Sequence, residues 1–187
     1  KKLFDEMPQN GLVPNKVTYT ALMDGFCREG RTRDAQELLK NMCDRGYVPD
    51  IRTYNVLLDD LLKKGQLDAA RTLFEVLECS WLRPSVVTYN TLIDGLYKAG
   101  QPDSAKEIFS RLCVNNYLQP NTITYNIVIS GHCELGLVDE AYELFRKMED
   151  SGCLRTRGSY NVLIRGFLRH KDALDAVELI QDMMSRG

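Results

Sequence analysis

Side chains that could perform acid–base or metal chemistry are scarce in this sequence. There are two histidines, His132 and His170. The six cysteines stand at positions 27, 43, 79, 113, 133 and 153, and no two of them form a Cys-x-x-Cys pair. Zinc sites usually draw on such close pairs. The sequence therefore predicts no metal site and no cofactor, and it indicates reduced cysteines that pack as small hydrophobic residues.

One fragment of a catalytic motif can be tested directly. His132-Cys133-Glu134 has the H-x-E pattern that opens a zinc deaminase motif, but such a site also needs a downstream P-C-x-x-C, which the sequence lacks. It contains no P-loop and no nucleophile elbow either. We therefore expect this chain not to be an enzyme.

Short polar side chains recur at one register instead. Five tyrosines are each followed by threonine or asparagine, whose hydroxyl and amide groups both donate and accept hydrogen bonds. These residues are Thr20, Asn55, Asn90, Asn126 and Asn161. Such residues near a helix start are often N-caps, and that interpretation is the alternative to a binding role. Asparagine at the same register in four of five places favours binding.

The elements that position these side chains are repeats. The tyrosines Tyr19, Tyr54, Tyr89, Tyr125 and Tyr160 are separated by 35, 35, 36 and 35 residues. An alanine follows each tyrosine by sixteen residues, which indicates a place where two helices approach closely. A fixed period of this length is typical of repeat architectures.

Each repeat contains two amphipathic stretches. In the first repeat apolar residues follow helical spacing from Tyr19 to Phe26, Gly30 interrupts the pattern, and the spacing resumes from Ala35 to Met42. Prolines at 49, 84 and 120 end the second stretch. The predicted fold is all-α, an α-solenoid of stacked helix-turn-helix hairpins that forms a superhelix.

The repeat frame divides the whole chain, 1–187, into one array. We expect a partial repeat at 1–15 and a repeat that lacks its final loop at 157–187, so the array is interpreted as a piece of a longer one. The complete repeats are predicted at 16–50, 51–85, 86–121 and 122–156.

The charge of the chain is unevenly distributed between the two kinds of helix. The net charge is -2, and an acidic balance by itself argues against nucleic-acid binding. The predicted first helices carry a net +1, however, and the second helices carry -8. We expect an acidic convex layer and a near-neutral inner layer, so the net charge does not exclude nucleic-acid binding in the groove. No apolar run is long enough to span a membrane.

The motifs resemble one known family over the entire chain. The strings VTYNTLIDGLYKAG (87–100) and ITYNIVISGHCELG (123–136), the period, and the closing Pro-Asp or Pro-Asn resemble the pentatricopeptide repeat family. The resemblance is to the class built from uniform repeats, which includes fertility-restorer-like proteins. The tetratricopeptide pattern W-x2-L-G-x2-Y is absent.

The resemblance implies sequence-specific binding of single-stranded RNA, one base per repeat. It implies action by occupancy in organellar RNA processing, stabilisation or translation, in a plant, with the mitochondrion favoured over the chloroplast. DNA and membranes are not expected partners. A helical scaffold that binds a protein partner, for instance through the acidic convex layer, is the alternative.

The resemblance also assigns base-reading residues, the one after each tyrosine and the last one before the next repeat. The pairs are Thr20 with Asp50, Asn55 with Ser85, Asn90 with Asn121 and Asn126 with Thr156, while Asn161 and Asn15 each lack a partner. By the family's code these pairs correspond to guanine, cytosine, a pyrimidine and, weakly, a pyrimidine.

Two further sets follow from the resemblance. The residues two before each tyrosine would stack on bases, namely Val17, Arg52, Val87 and Ile123, whereas Gly158 offers no surface. The residues near the end of each first helix would contact phosphates, namely Arg28, Lys63, Lys98 and Arg169, with Glu134 breaking the pattern. Cations that interact with the helix dipole are the alternative. Because Gly158 lacks a side chain and the last loop lacks proline, we expect the last repeats to read RNA loosely.

Overall fold

The part of the chain that the structure describes folds into α-helices joined by short loops. The computed structural model describes residues 4, 6, 7, 10–170 and 172–185. These residues form no strand and contain ten α-helices of 12 or 13 residues. They are α1 (Lys16–Arg28), α2 (Thr32–Asp44), α3 (Ile51–Lys63), α4 (Leu67–Cys79), α5 (Val86–Lys98), α6 (Pro102–Cys113), α7 (Thr122–Glu134), α8 (Val138–Asp150), α9 (Arg157–Arg169) and α10 (Ala173–Ser185). The prediction of an all-α chain is confirmed.

The predicted repeat boundaries at the two ends fall partly outside this description. Residues 1–3, 5, 8 and 9 of the partial first repeat and residues 171, 186 and 187 of the last repeat lie outside the described residues. By contacts the chain divides into two compact units, Lys1–Thr91 and Leu92–Gly187. The boundary between the units lies within α5.

Local sequence explains where the helices of a hairpin end. Gly30 between α1 and α2 has φ +77° and Gly65 between α3 and α4 has φ +68°. Left-handed backbone of this kind favours glycine and ends the preceding helix. The glycines predicted to interrupt the apolar spacing therefore do so through their backbone conformation.

The core of the first unit lies between the two helices of the hairpin and α3. Tyr19, Met23, Ala35 and Met42 are completely buried there, and Leu57 of α3 packs against them. The recurrent alanines at 35, 70, 105, 141 and 176 are at most 1% exposed, in agreement with the predicted close approach of helices.

The core of the second unit repeats this arrangement. Phe145 of α8 packs edge-on against Tyr160 of α9 with ring centroids 4.9 Å apart, and Phe109 of α6 packs against Tyr125 of α7 at 5.6 Å. Edge-to-face aromatic pairs at these distances are favourable. The recurrent tyrosines therefore join consecutive hairpins.

The cysteines are only partly as expected. All six are free thiols, but Cys43, Cys79 and Cys113 are exposed. The interpretation of the cysteines as packed hydrophobic residues is therefore wrong for these three, and it holds for Cys133 and Cys153, which are buried. Burial raises the pKa of the Cys133 thiol to about 11.

Candidate nucleic-acid interface

The residues that follow the tyrosines occupy the fifth position of each first helix and are not helix caps. Thr20 of α1, Asn55 of α3, Asn90 of α5 and Asn126 of α7 are all partly or largely buried, and Asn90 is only 8% exposed. Asn161 of α9 is exposed. The capping interpretation is therefore wrong for this set.

Three of these asparagines share an unusual feature. The Oδ1 atoms of Asn55, Asn90 and Asn126 are buried and have no hydrogen-bond partner among the described residues. An unpaired buried acceptor costs about 1–3 kcal/mol, and most buried polar groups in proteins are paired. Three such atoms at one register show that the fold leaves the hydrogen-bonding capacity of these side chains unused.

The second set of predicted readers does consist of helix caps. Asp50 accepts a hydrogen bond from the Thr53 backbone N–H at 3.0 Å, and Asn121 accepts one from the Thr124 N–H at 3.0 Å. The other caps are Asn15, Ser85 and Thr156. Capping and ligand binding are compatible in Asp50 and Asn121, because capping engages Oδ1 and each side chain has a second polar atom.

The structure brings two of the predicted pairs together. Thr20 Oγ1 lies 2.9 Å from Thr53 Oγ1, which in turn donates to Asp50 Oδ1 at 3.1 Å. Asn126 and Thr156 both flank Gly158, since a Cβ built on that glycine would lie 3.8 Å from Asn126 Nδ2 and 3.4 Å from Thr156 Oγ1.

The other pairs are not joined in this way. No hydrogen bond within the described chain links Asn55 to Ser85, and Asn90 and Asn121 belong to different compact units.

The predicted stacking residues are exposed at the second position of each first helix. Val17 is 74% exposed, and Val87 and Ile123 are each 62% exposed. Arg52 and Gly158 are exposed at the same register. Aliphatic side chains that the fold leaves in water at a fixed register are available to contact a planar ligand.

Three of the four predicted phosphate contacts have an acidic neighbour that the sequence reasoning missed. Arg28 pairs with Asp24 at 2.7 Å, Lys63 with Asp59 at 2.5 Å and Lys98 with Asp94 at 2.6 Å, all four residues apart on one helix. Arg169 lies at the same register of α9. Exposed pairs of this kind contribute at most about 1 kcal/mol, so a phosphate can compete with the aspartate for the cation. The four-residue spacing is itself a sequence signal that could have identified these pairs.

The loop that lacks proline is held by Arg155. Its guanidinium donates to the carbonyl oxygens of Phe145 and Arg146 at 3.1 Å, pairs with Glu149 and lies 4.8 Å from the Phe145 ring centroid. The guanidinium thus anchors the loop before α9, where other repeats have proline.

His132 lies at a register that is apolar in the other repeats. It is 2% exposed, and its Nδ1 donates to the Val128 carbonyl oxygen at 2.8 Å. Its Nε2 lies 3.4 Å from Glu140, but Lys106 contacts the same carboxylate at 2.6 Å. Burial lowers the pKa of His132. This effect is larger than the opposite effect of Glu140, whose negative charge is partly neutralised by Lys106. No group of three or more His, Cys, Asp or Glu residues in the described part of the chain could hold a metal ion.

The lowered His132 pKa predicts a loss of stability in acid. The unfolded chain binds this proton at the ordinary pKa of about 6.5, so folding stability is complete above that pH and falls as the pH drops below it. We expect His132→Phe to lose less stability than the wild type between pH 7.5 and pH 5, measured as the urea midpoint. Equal losses in the two proteins would contradict the assignment.

Matches to family models cover most of the chain. A model described as the PPR repeat family matches residues 1–28 and 15–63. Models described as PPR repeat match residues 52–80, 82–113, 117–149 and 158–187. The search of curated proteins found no match.

Solved structures of similar proteins match nearly the full chain. The maize pentatricopeptide repeat protein PPR10 is 26% identical over 97% of this chain and 26% of its own, with a TM-score of 0.77. PPR10 in complex with an 18-nt psaJ RNA element matches with a TM-score of 0.84 over 98% of this chain and 27% of its own. This chain thus spans about a quarter of the PPR10 length.

A more distant likeness concerns the fold alone. The PPR domain of Arabidopsis thaliana protein-only RNase P 1, in complex with tRNA, is 19% identical, with a TM-score of 0.66 over 88% of this chain and 86% of its own. Together with the PPR10 match, it confirms the predicted helical-repeat solenoid. No helix within the described residues is long and apolar enough to cross a membrane.

Proposed function

Because the chain belongs to the pentatricopeptide repeat family, we propose that it binds single-stranded RNA in a sequence-specific manner, with one base per repeat. The PPR10 complex with an RNA element supports this proposal. The observation that carries it is the set of buried, unpaired amide oxygens of Asn55, Asn90 and Asn126. A rotation of the amide group would present each oxygen to the N–H donors that base edges carry.

Each repeat contributes three groups to one base. The exposed apolar residue at the second helix position contacts the face of the base, as Val17, Val87 and Ile123 are placed to do. The residue at the fifth position and the cap of the next first helix contact its edge. The first-helix cations contact phosphates in exchange for their aspartate partners.

The repeats select bases by the donors and acceptors that they present. Thr20 with Asp50 selects guanine, Asn55 with Ser85 selects cytosine, Asn90 favours a pyrimidine, and Asn126 with Thr156 weakly prefers a pyrimidine. This assignment rests on the family's code and on the polar atoms available at each register.

Binding of this kind acts by occupancy. A bound chain shields a site from nucleases, blocks a structure or positions a transcript end, and it needs no catalytic group in these repeats. Membership of this family supports an organellar location, and we favour the mitochondrion over the chloroplast.

Fluorescence anisotropy tests the base preference. The expected result is tighter binding of a strand with a 5′-G-C-Y-Y-Y-3′ core than of the same strand with purines at the Y positions. With about four phosphates engaged, the slope of log affinity against log salt is expected near about -3. Equal affinities for the two strands would overturn base-specific reading.

The stacking residues provide a second arm of the same test. We expect the triple change of Val17, Val87 and Ile123 to aspartate to weaken binding roughly a hundredfold, since it removes three stacking contacts and adds charge beside the strand. Val76→Asp is the matched control, because Val76 is 59% exposed on the second helix α4. The control is expected to bind as the wild type does.

A further inference from the structure

A buried hydroxyl precedes four of the five recurrent tyrosines. These hydroxyls stand at the third position of a first helix, and all four residues are 0% exposed. They are Thr53, Thr88, Thr124 and Ser159. The resemblance assigns them no role, but each hydroxyl contacts the side chain of its own helix cap, which is a predicted reader.

In three repeats the hydroxyl accepts a hydrogen bond from the backbone of its own cap. The Ser85 N–H donates to Thr88 Oγ1 at 3.1 Å, the Asn121 N–H to Thr124 Oγ1 at 3.1 Å and the Thr156 N–H to Ser159 Oγ at 3.3 Å. This is the reciprocal arrangement of a capping box.

Thr53 is used differently. Within the described chain its hydroxyl receives no hydrogen bond from the Asp50 N–H and instead lies 2.9 Å from Thr20 Oγ1, a residue of the preceding repeat. It also lies 3.1 Å from Asp50 Oδ1. Thr53 is thus in contact with both readers of the first pair.

The number of protons decides how this contact is arranged. Thr20 Oγ1 also lies 2.9 Å from the Lys16 carbonyl oxygen, so there are three contacts but only two hydroxyl protons. A carboxylate is the strongest acceptor present, so Thr53 donates to Asp50. Thr20 donates its one proton to the Lys16 carbonyl oxygen or to Thr53 Oγ1, so in either arrangement that proton is used within the chain.

The consequence is a defined pattern at the base edge. The Thr20 proton points into the protein, so Thr20 offers only acceptor lone pairs to a ligand. Asp50 accepts from Thr53 through Oδ1 and retains Oδ2 as a further acceptor. Guanine is the base whose Watson–Crick edge carries two adjacent donors, at N1 and N2.

We propose that Thr53 is a positioning residue that sets the specificity of the Thr20–Asp50 pair. It orients the Thr20 hydroxyl and the Asp50 carboxylate so that both present acceptors to one guanine. This inference rests on the proposed RNA binding and adds a third residue to the recognition of that base.

The test removes the Thr53 hydroxyl and measures discrimination between bases. Thr53→Val keeps the branched shape but cannot donate. We expect the preference for guanine over adenine at the facing nucleotide to fall about tenfold, as for the loss of one organising hydrogen bond, while preferences at the other nucleotides stay unchanged. Thr53→Ser restores the hydroxyl and is expected to discriminate within about twofold of the wild type.

Two further variants separate positioning from stability. Thr18→Val is the matched control, because Thr18 lies at the same register and its hydroxyl likewise donates to its cap, Asn15, but it contacts no preceding reader in the described chain. It is expected to keep full discrimination. Thr53→Cys replaces the valine variant if that variant unfolds below the assay temperature. Because a thiol is a weak donor, Thr53→Cys is expected to show the same loss of discrimination.

The outcomes distinguish the two proposals. Unchanged discrimination in Thr53→Val and Thr53→Cys would overturn the role of Thr53, as would an equal loss of affinity for all four bases or the same loss in Thr18→Val. A wild-type protein that binds RNA without discriminating bases, or does not bind it, would instead overturn the proposed function.

Discussion

Lys64→Met is expected to destabilise the protein by about 3 kcal/mol. Asp60 is 3% exposed, and Lys64 Nζ lies 3.1 Å from its Oδ1 and is the only cation that pairs with it among the described residues. Thr32 donates to the other carboxylate oxygen at 2.6 Å. Removing one partner of a buried ion pair costs about 3–5 kcal/mol, and the 26% exposure of the Lys64 side chain places this pair at the lower end. The urea midpoint at neutral pH measures the loss.

The double variant Asp60→Ala/Lys64→Met is the control. Asp60 takes the register at which other first helices have Gly25, Gly95, Gly131 and Gly166, so the fold does not require a charge there. Replacing a whole buried pair by apolar residues is often neutral. We expect the double variant to regain most of the loss, and a single variant that loses less than about 1 kcal/mol would contradict the buried pair.

Gly131→Ala is expected to destabilise the protein by about 2 kcal/mol. A Cβ built at Gly131 of α7 would overlap the Tyr97 ring of α5, with its Cδ2 atom only 2.6 Å away. That ring is 6% exposed and cannot swing away without disturbing its contact with His132. Overpacking of this kind costs about 1–3 kcal/mol. The midpoint of thermal unfolding is expected to fall by about 2–4 °C per kcal/mol.

Gly25→Ala provides the matched control at the same register. A Cβ at Gly25 would meet nothing within 4 Å. Alanine is favoured over glycine inside a helix by about 1 kcal/mol, so this variant is expected to gain stability. Changes of the same sign in the two variants would show that helix propensity, rather than the contact with Tyr97, decides the outcome.

Local sequence was sufficient for the positions of the helices. Apolar spacing, the glycines that end the first helices and the caps that begin them act over three to five residues, so each is visible in the chain itself. The apolar spacing predicted from Tyr19 to Phe26 lies within α1 (Lys16–Arg28), and that from Ala35 to Met42 lies within α2 (Thr32–Asp44). The period of 35 also predicted which helices pack together. Residues at the registers of Tyr19 and Ala35 recur in every repeat, so their packing partners are expected to recur as well.

The sequence also identified the residues of the candidate site, but it did not predict their burial or their hydrogen bonds. The sequence does not distinguish Asn55, Asn90 and Asn126 from other asparagines near a helix start. Only the packing shows that their Oδ1 atoms are buried without a partner. The capping interpretation was wrong for them, because they lie at the fifth helix position. Asp50, which lies directly before the first position of α3, is a cap.

By itself, then, the sequence determined the all-α repeat and the approximate boundaries of the helices, since these follow from short-range spacing. The resemblance to the family added the registers that are proposed to contact RNA. The tertiary structure alone decided the contacts that cross from one hairpin to the next. Thr20 meets Thr53 across 33 positions, Thr32 meets Asp60 across 28, and Gly131 meets Tyr97 across 34. Such contacts depend on the distance and rotation between stacked hairpins, which arise from the packing of whole side-chain layers and are not encoded in any local pattern.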